Sequence, residues 1–318
     1  MAEIGSDLNR AISLLEQGEL VAVPTETVYG LAGNALDVNV VAKIFSVKSR
    51  PRFDPLIVHV PSLRVAEKYV TNIPKKAEQL TNAFWPGPLT LLLQKKDEII
   101  PDLVTSGLPT VGIRCPDHSL TRELLTRLPF PLAAPSANPF GYVSPTSPQH
   151  VNDQLGDKIS YILDGGVCPI GIESTIIGFK NDDPVVYRLG GLSLERIEAA
   201  IGKVRVNAHS TSNPKAPGQL KSHYAPGKKL VIGKIEDLLK KYPAHSSGVL
   251  TFTKSFNIPH LRILSPSGST EEAARNLFSF LRDFDSLPID VILTELLPEE
   301  GLGRAINDRL TRAASNEN

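Results

Sequence analysis

Two kinds of residue in this chain can hold an anion. Lys48, Arg50, Arg114 and Arg188 supply positive charge; Thr27, Ser136, Asn138, Ser144 and Ser174 supply small hydrogen-bond donors. A guanidinium grips phosphate or carboxylate with two parallel hydrogen bonds, and hydroxyls add donors whose direction adjusts. No acidic pair accompanies them, so glycoside hydrolysis, which needs two carboxylates, is not indicated. By residue type alone, the set reads as a site for an anionic small molecule, of which a nucleotide is the best fit.

The elements predicted around these residues place nearly all of them at strand ends or in loops. An apolar run at 20–23 reads as a buried strand, followed by the turn Pro24, Thr25, Glu26, Thr27. Gly30 and Gly33 offer backbone freedom. A helix follows, with Asp37 as N-cap and Val40, Val41, Ile44 and Phe45 on one face; it ends at Lys48, Arg50 and Arg52, with Pro51 as its stop. Taken alone, that basic triplet reads as solvated charge complementing a helix C-terminus. A second strand, 56–60, carries His59.

Further along, helices are expected over 62–70 and 74–84, with Pro74 at the first helical position. Strands at 89–93 and 110–115 follow, the latter with Arg114 near its end, then a helix over 118–128. A strand at 131–134 breaks into a polar loop bearing Ser136, Asn138, Ser144 and Thr146. Strands at 161–163, 175–179 and 185–189 come next, with Ser174 before the second and Arg188 on the third; Ser193 caps a helix over 194–201. Ligands of open α/β sheets bind outside such strand ends.

Residues 207–229 are rich in Ser, Asn, Pro and Gly and read as a linker long enough to be a lid, with Tyr224 its one large ring. From residue 230 strand and helix alternate, the long helix at 270–284 opening on a capping box of Ser269 and Glu272. That alternation predicts a small parallel α/β domain. The expected division is 1–206, linker 207–229, and 230–318.

Composition narrows the field. With 41% hydrophobic residues the chain can bury a substantial core, and 34 basic against 34 acidic residues leaves no overall field to hold nucleic acid. Cys115 and Cys168 form no CxxC or metal spacing, which suits a reducing compartment. The N-terminus reads as an amphipathic helix with Leu8, Ala11, Ile12 and Leu15 on one face and Gly18 as stop, not as a signal peptide. No stretch has the apolar length of a membrane span. The expectation is a cytoplasmic protein with no membrane contact. A P-loop, a GxSxG elbow and HExxH are absent, and Gly301-Leu302-Gly303 lacks the third glycine of a dinucleotide fingerprint. The histidines are scattered without zinc spacing.

The motifs together resemble the threonylcarbamoyl-AMP synthases with a YrdC-like domain, in their long form. PTETVYGLAGNA at 24–35 is similar to the opening motif of that family. KSR at 48–50 with SAN at 136–138 matches its KxR and SxN signature. VGIRCPDH, SANPFGYVSPT, GIESTII and VYRLGG follow in family order, and APGQLKSHYAP resembles the interdomain linker. The resemblance spans the whole chain. Asp54 departs from it, standing where the family commonly has Asn in a nucleotide contact.

The resemblance implies a YrdC-like twisted mixed sheet with flanking helices, plus a smaller Rossmann-like parallel α/β domain. It implies a nucleotidyltransferase that forms threonylcarbamoyl-AMP and pyrophosphate from L-threonine, bicarbonate or CO₂, and ATP, with Mg²⁺ carried by the nucleotide. The product would serve a downstream tRNA threonylcarbamoyl transferase, with tRNA itself met only indirectly or weakly. Carried over, Thr27, His59, Arg114, Ala134 and Ser174 would contact threonine. Arg50, Asp54, Thr110, Ser136, Asn138, Ser144, Arg188 and Tyr224 would contact ATP, and Lys48 with Arg50 would be catalytic. Two alternatives stay open: an RNA-binding module without catalysis, and adenylation of a different carbamate.

Overall fold

The computed structural model describes residues 1–96, 99–207, 216–218 and 223–315. An eleven-stranded mixed sheet runs, edge to edge, through Glu3–Gly5, Tyr161–Leu163, Val21–Val23, Gly30–Asn34, Leu132–Ala133, Ile57–His59, Thr110–Arg114, Leu89–Gln94, Thr175–Lys180, Asp183–Arg188 and Arg205–Val206. A second sheet orders Lys229–Ile232, Val291–Thr294, Ser247–Thr251 and His260–Ile263, all parallel. The mixed sheet and the parallel sheet are those the sequence leads one to expect.

Local chemistry explains the elements that carry the site. The helix Val38–Lys48 starts where the Asp37 carboxylate accepts the N–H groups of Asn39 and Val40. It ends at Ser49, whose φ of 53° is left-handed. That turn leaves both neighbours, Lys48 and Arg50, buried. The helix lies close on Gly30–Asn34 because Gly33 has no side chain: a Cβ there would sit 2.6 Å from Val40 Cγ1. Gly30 and Gly33 therefore serve close packing within a strand and do not supply the turn freedom expected of them; neither has positive φ.

Other elements differ from expectation. Residues 3–5 add an edge strand before the first helix, Leu8–Glu16. The helix expected at 62–70 shrinks to Leu63–Ala66, after which Val70 bridges to Lys95. Pro74 is the N-cap, not the first helical residue, of Lys75–Phe84. Ser147 caps an unforeseen helix, Pro148–Leu155. At Ser269 only half of the capping box forms. Its hydroxyl accepts the Glu272 N–H, while the Glu272 carboxylate turns to Ser265 and Ser267.

The two sheets share one apolar cluster. Val28, Val143, Ile172 and Tyr224 pack with Ala274, Leu277 and Phe278 of the helix Thr270–Asp285. No helix among the described residues is long and apolar enough to cross a membrane. Cys115 and Cys168 are free and buried.

Candidate active site

A cavity of about 50 Å³ lies at strand ends of the large sheet, room for a few waters. His59 and Arg114 reach it from the last residues of two adjacent parallel strands. Ala134, Ser136, Glu173, Ser174, Arg50 and Arg188 are also in the wall, and Pro217, Gly218, His223 and Tyr224 cover it.

One end is built around Arg114. Its Nη2 donates to Glu26 Oε1 at 2.7 Å and to Thr27 Oγ1 at 2.8 Å, while its buried Nε has no partner. Glu26 is tied in turn by the Asp117 N–H to Oε2. The His59 Nδ1 is likewise buried and unpartnered. Burial, reinforced by Arg114, pushes the imidazole down to about 3, so it is neutral at physiological pH.

The other end holds Arg188 and Arg50. Arg188 Nε and Nη2 donate to the Ser174 carbonyl at 3.0 and 2.9 Å, and Nη2 also reaches Ser174 Oγ at 3.1 Å. Thr90 Oγ1 stands 2.8 Å from the same hydroxyl. Arg50 donates to the carbonyls of Asp54 and Pro55, and its Nη2 lies 2.9 Å from Asp54 Oδ2. That approach is an ion pair without hydrogen-bond alignment, since neither Asp54 carboxylate oxygen accepts a bond. Burial raises the Asp54 pKa, and Arg50 works against it.

Several expected residues stand behind the wall. Lys48 Nζ donates to the carbonyl of Ser136 at 2.5 Å and to that of Asn138, and it does not line the cavity. Burial and then Arg50 push its ammonium well below the ordinary value. Both bonds survive loss of the proton, because a neutral amine keeps two N–H groups. The Asn138 amide donates to the carbonyls of Pro139 and Tyr142 and so shapes its own loop. Thr27 reaches the cavity through Arg114, and the Ser144 hydroxyl donates to Glu173 Oε1 at 2.5 Å. Thr110 is apart: it lines a second cavity, about 290 Å³, with Leu92, Pro109, Phe179 and Tyr187. Arg52 is exposed.

The covering residues are tightly held. Tyr224, 1% exposed, has a left-handed φ of 64°. His223 sits edge-on to both the Phe140 and Tyr224 rings, 5.5 and 4.1 Å between centroids. The remaining linker positions at 208–215 and 219–222 lie outside the described residues.

Sequence reasoning missed Glu26 and Glu173, which carry the counter-charge for Arg114 and for the buried Arg309. The signal was there: each is the lone acid in a motif of hydroxyls, and arginines entering a core need such partners. Among the described residues no group of three His, Cys, Asp or Glu side chains could hold a metal ion.

Comparison with known proteins bears on both parts of the chain. A family model described as "Telomere recombination", covering Sua5, YciO and YrdC, matches residues 13–190. A second, "Threonylcarbamoyl-AMP synthase, C-terminal domain", matches 192–315. The threonylcarbamoyl-AMP synthase of Pyrococcus abyssi is 42% identical, with 96% of this chain and 93% of that protein covered. That of Bacillus subtilis is 40% identical over 96% and 92%. The crystal structure of P. abyssi Sua5 complexed with L-threonine superposes with a TM-score of 0.92 at 40% identity, covering 98% of this chain and 97% of that one. Agreement over both parts and nearly the whole length makes this chain a member of the threonylcarbamoyl-AMP synthase family in its two-domain form.

Proposed function

We propose that the protein joins L-threonine, bicarbonate or CO₂, and ATP into threonylcarbamoyl-AMP, releasing pyrophosphate. The observation that carries this reading is one cavity with two cationic ends, Arg114 at one and Arg50 with Arg188 at the other. The Arg114 end keeps a buried donor, Arg114 Nε, and a buried ring nitrogen, His59 Nδ1, without partners. Such groups are costly unless a ligand satisfies them. A threonine carboxylate suits the first and its amine suits the second. Arg50 and Arg188 suit phosphate oxygens.

The chemistry asks for little beyond alignment. The threonine amine adds to CO₂, losing a proton and forming a carbamate. A carbamate oxygen then attacks the α-phosphorus, and the bond to the pyrophosphate oxygen breaks. No enzyme nucleophile is needed, and the protein's share is to hold the reactants in line and neutralise charge moving onto pyrophosphate. Arg50 and Arg188 are suited to that neutralisation, with magnesium arriving on the nucleotide. Neutral His59 can accept a hydrogen bond from the amine.

Lys48 acts through the loop Ser136–Asn138, whose carbonyls it holds. The cavity's about 50 Å³ is far less than a nucleoside triphosphate occupies, so such a ligand must extend beyond it or displace the covering residues. Thr110 would meet such a ligand only where it extends beyond this cavity. The product, a labile mixed anhydride, gains from exclusion of water and passes to an enzyme that transfers the threonylcarbamoyl group.

The test is pyrophosphate release by the purified protein with magnesium and ATP. Release that requires both threonine and bicarbonate is expected; release independent of either overturns the reading.

A further inference from the structure

The cavity wall depends on a side chain from the other sheet's domain. Arg309 belongs to the last helix, Gly303–Ala314, yet it is 0% exposed. Its Nε donates to Glu173 Oε2 at 3.1 Å, and its Nη1 to Asp308 Oδ2 at 2.9 Å. The guanidinium carbon lies 4.9 Å from the centre of the Tyr224 ring. Glu173 and Tyr224 line the cavity, whereas Arg309 does not. The second Glu173 oxygen takes the Ser144 hydroxyl. One guanidinium therefore fixes an acid in the wall, the serine bonded to that acid, and the ring that covers the site.

A buried ion pair is a poor device for stability alone, since apolar residues of similar volume often serve as well or better. What a guanidinium adds is direction: a planar fork for carboxylates and a flat face for an aromatic ring. The neighbouring helix grips the same loop, through Arg282 to the carbonyls of Val143 and Ser144 and through Asp285 to the Tyr142 hydroxyl. Ser144 and Tyr224 thus take their positions from the C-terminal domain, while the Arg114, Thr27 and His59 end has its partners within the large sheet's own domain.

We infer that Arg309 is a positioning residue for the nucleotide end of the site and not for the threonine end. This rests on the reading of the two ends given above. It assigns the C-terminal domain a part in catalysis: through Glu173 and Tyr224 it holds the geometry that ATP meets.

The test uses the full-length protein and two variants. R309M/E173Q removes both charges, so neither is left buried and unpaired. R309K keeps a cation opposite Glu173 and loses the fork and the flat face. Melting temperature, the separate binding of ATP and threonine by calorimetry, and both KM values are measured. In R309M/E173Q we expect ATP to bind roughly tenfold more weakly, as misplaced contacts would require, with threonine within about twofold of wild type. R309K should fall between the two. The inference is overturned if ATP binding is unchanged in a folded variant, or if both ligands weaken by the same factor. If R309M/E173Q does not fold, R309K decides by the same criteria. A wild type that binds both ligands but releases no threonine-dependent pyrophosphate would fail the proposed function and leave this inference standing on the binding data. A wild type that binds no ATP overturns both.

Discussion

Lys48 Nζ lies 2.5 Å from the carbonyl oxygen of Ser136, across 88 residues of chain, and donates also to that of Asn138. The lysine of the KxR motif thus holds the SxN loop from behind. Lys48→Ala should therefore act through the loop and cost stability as well as activity. The Ser136 carbonyl would keep the Asn138 N–H, while the Asn138 carbonyl would lose its lysine donor, at about 1–3 kcal/mol. A lowered melting temperature together with lost pyrophosphate release is expected. A variant with native melting and no activity would instead put the ammonium in contact with substrate.

Asp54 sets a carboxylate beside the arginine suited to phosphate, 2.9 Å from Arg50 Nη2. An anion there competes with a phosphate for the same guanidinium. Asp54→Asn should bind ATP several-fold more tightly in calorimetry. It should also lose about 3 kcal/mol of stability, the low end for breaking a buried ion pair, because Arg50 keeps two carbonyl acceptors. Weaker ATP binding would mean that the carboxylate helps to aim Arg50.

His59 makes stability depend on pH. Its imidazole falls from the usual 6.5 to about 3 on burial. Between those values the unfolded chain binds a proton that the folded chain refuses. Stability is therefore full above 6.5 and declines as pH falls toward 3, by about 1.4 kcal/mol per unit from this group. His223, also driven well below its ordinary value by burial and nearby cations, acts in the same direction. Melting curves from pH 7.5 to 5 should show the slope, and His59→Asn should flatten it. An unchanged slope would mean that His59 is charged in the fold.

Gly190 has a steric reason to be glycine. A Cβ there would lie 2.3 Å from the Glu173 carbonyl oxygen and 2.6 Å from that of Ser174. Gly190→Ala must push back the segment bearing both residues, at about 1–3 kcal/mol or more for overpacking. Thermal melting should register that loss, and the KM for ATP should rise, since Glu173 lines the cavity and Ser174 holds Arg188. Unaltered kinetics would show that the segment yields without moving its side chains.

Much of this was legible from residue order. Strands such as Leu89–Gln94 and helices such as Leu194–Ile201 follow from apolar spacing and flanking turns. Gly30–Asn34 does not, because two glycines and an alanine in five residues carry no strand pattern, and only the neighbours crowding Gly33 make it a strand. The helix Pro148–Leu155 hid inside a Ser, Pro and Thr cluster that reads as loop, although Ser147 before Pro148 was a sound start signal. In the site, the cations and hydroxyls were visible as types. Their depth was not: nothing in the order of residues separates Lys48, turned to the loop behind, from Arg50, turned to the cavity. Glu173 and Arg309, 136 residues apart, become partners only when two domains close on each other.

The apolar cluster shared by Val28, Val143, Ile172, Tyr224 and the helix Thr270–Asp285 has a consequence for how the molecule comes apart. The linker is a boundary in the sequence but not in cohesion. Melting one sheet's domain strips the other of part of its interior, so heat should disassemble both in one calorimetric peak. A nick between them would yield fragments that stay associated, because the seam visible in the chain runs through a joint interior.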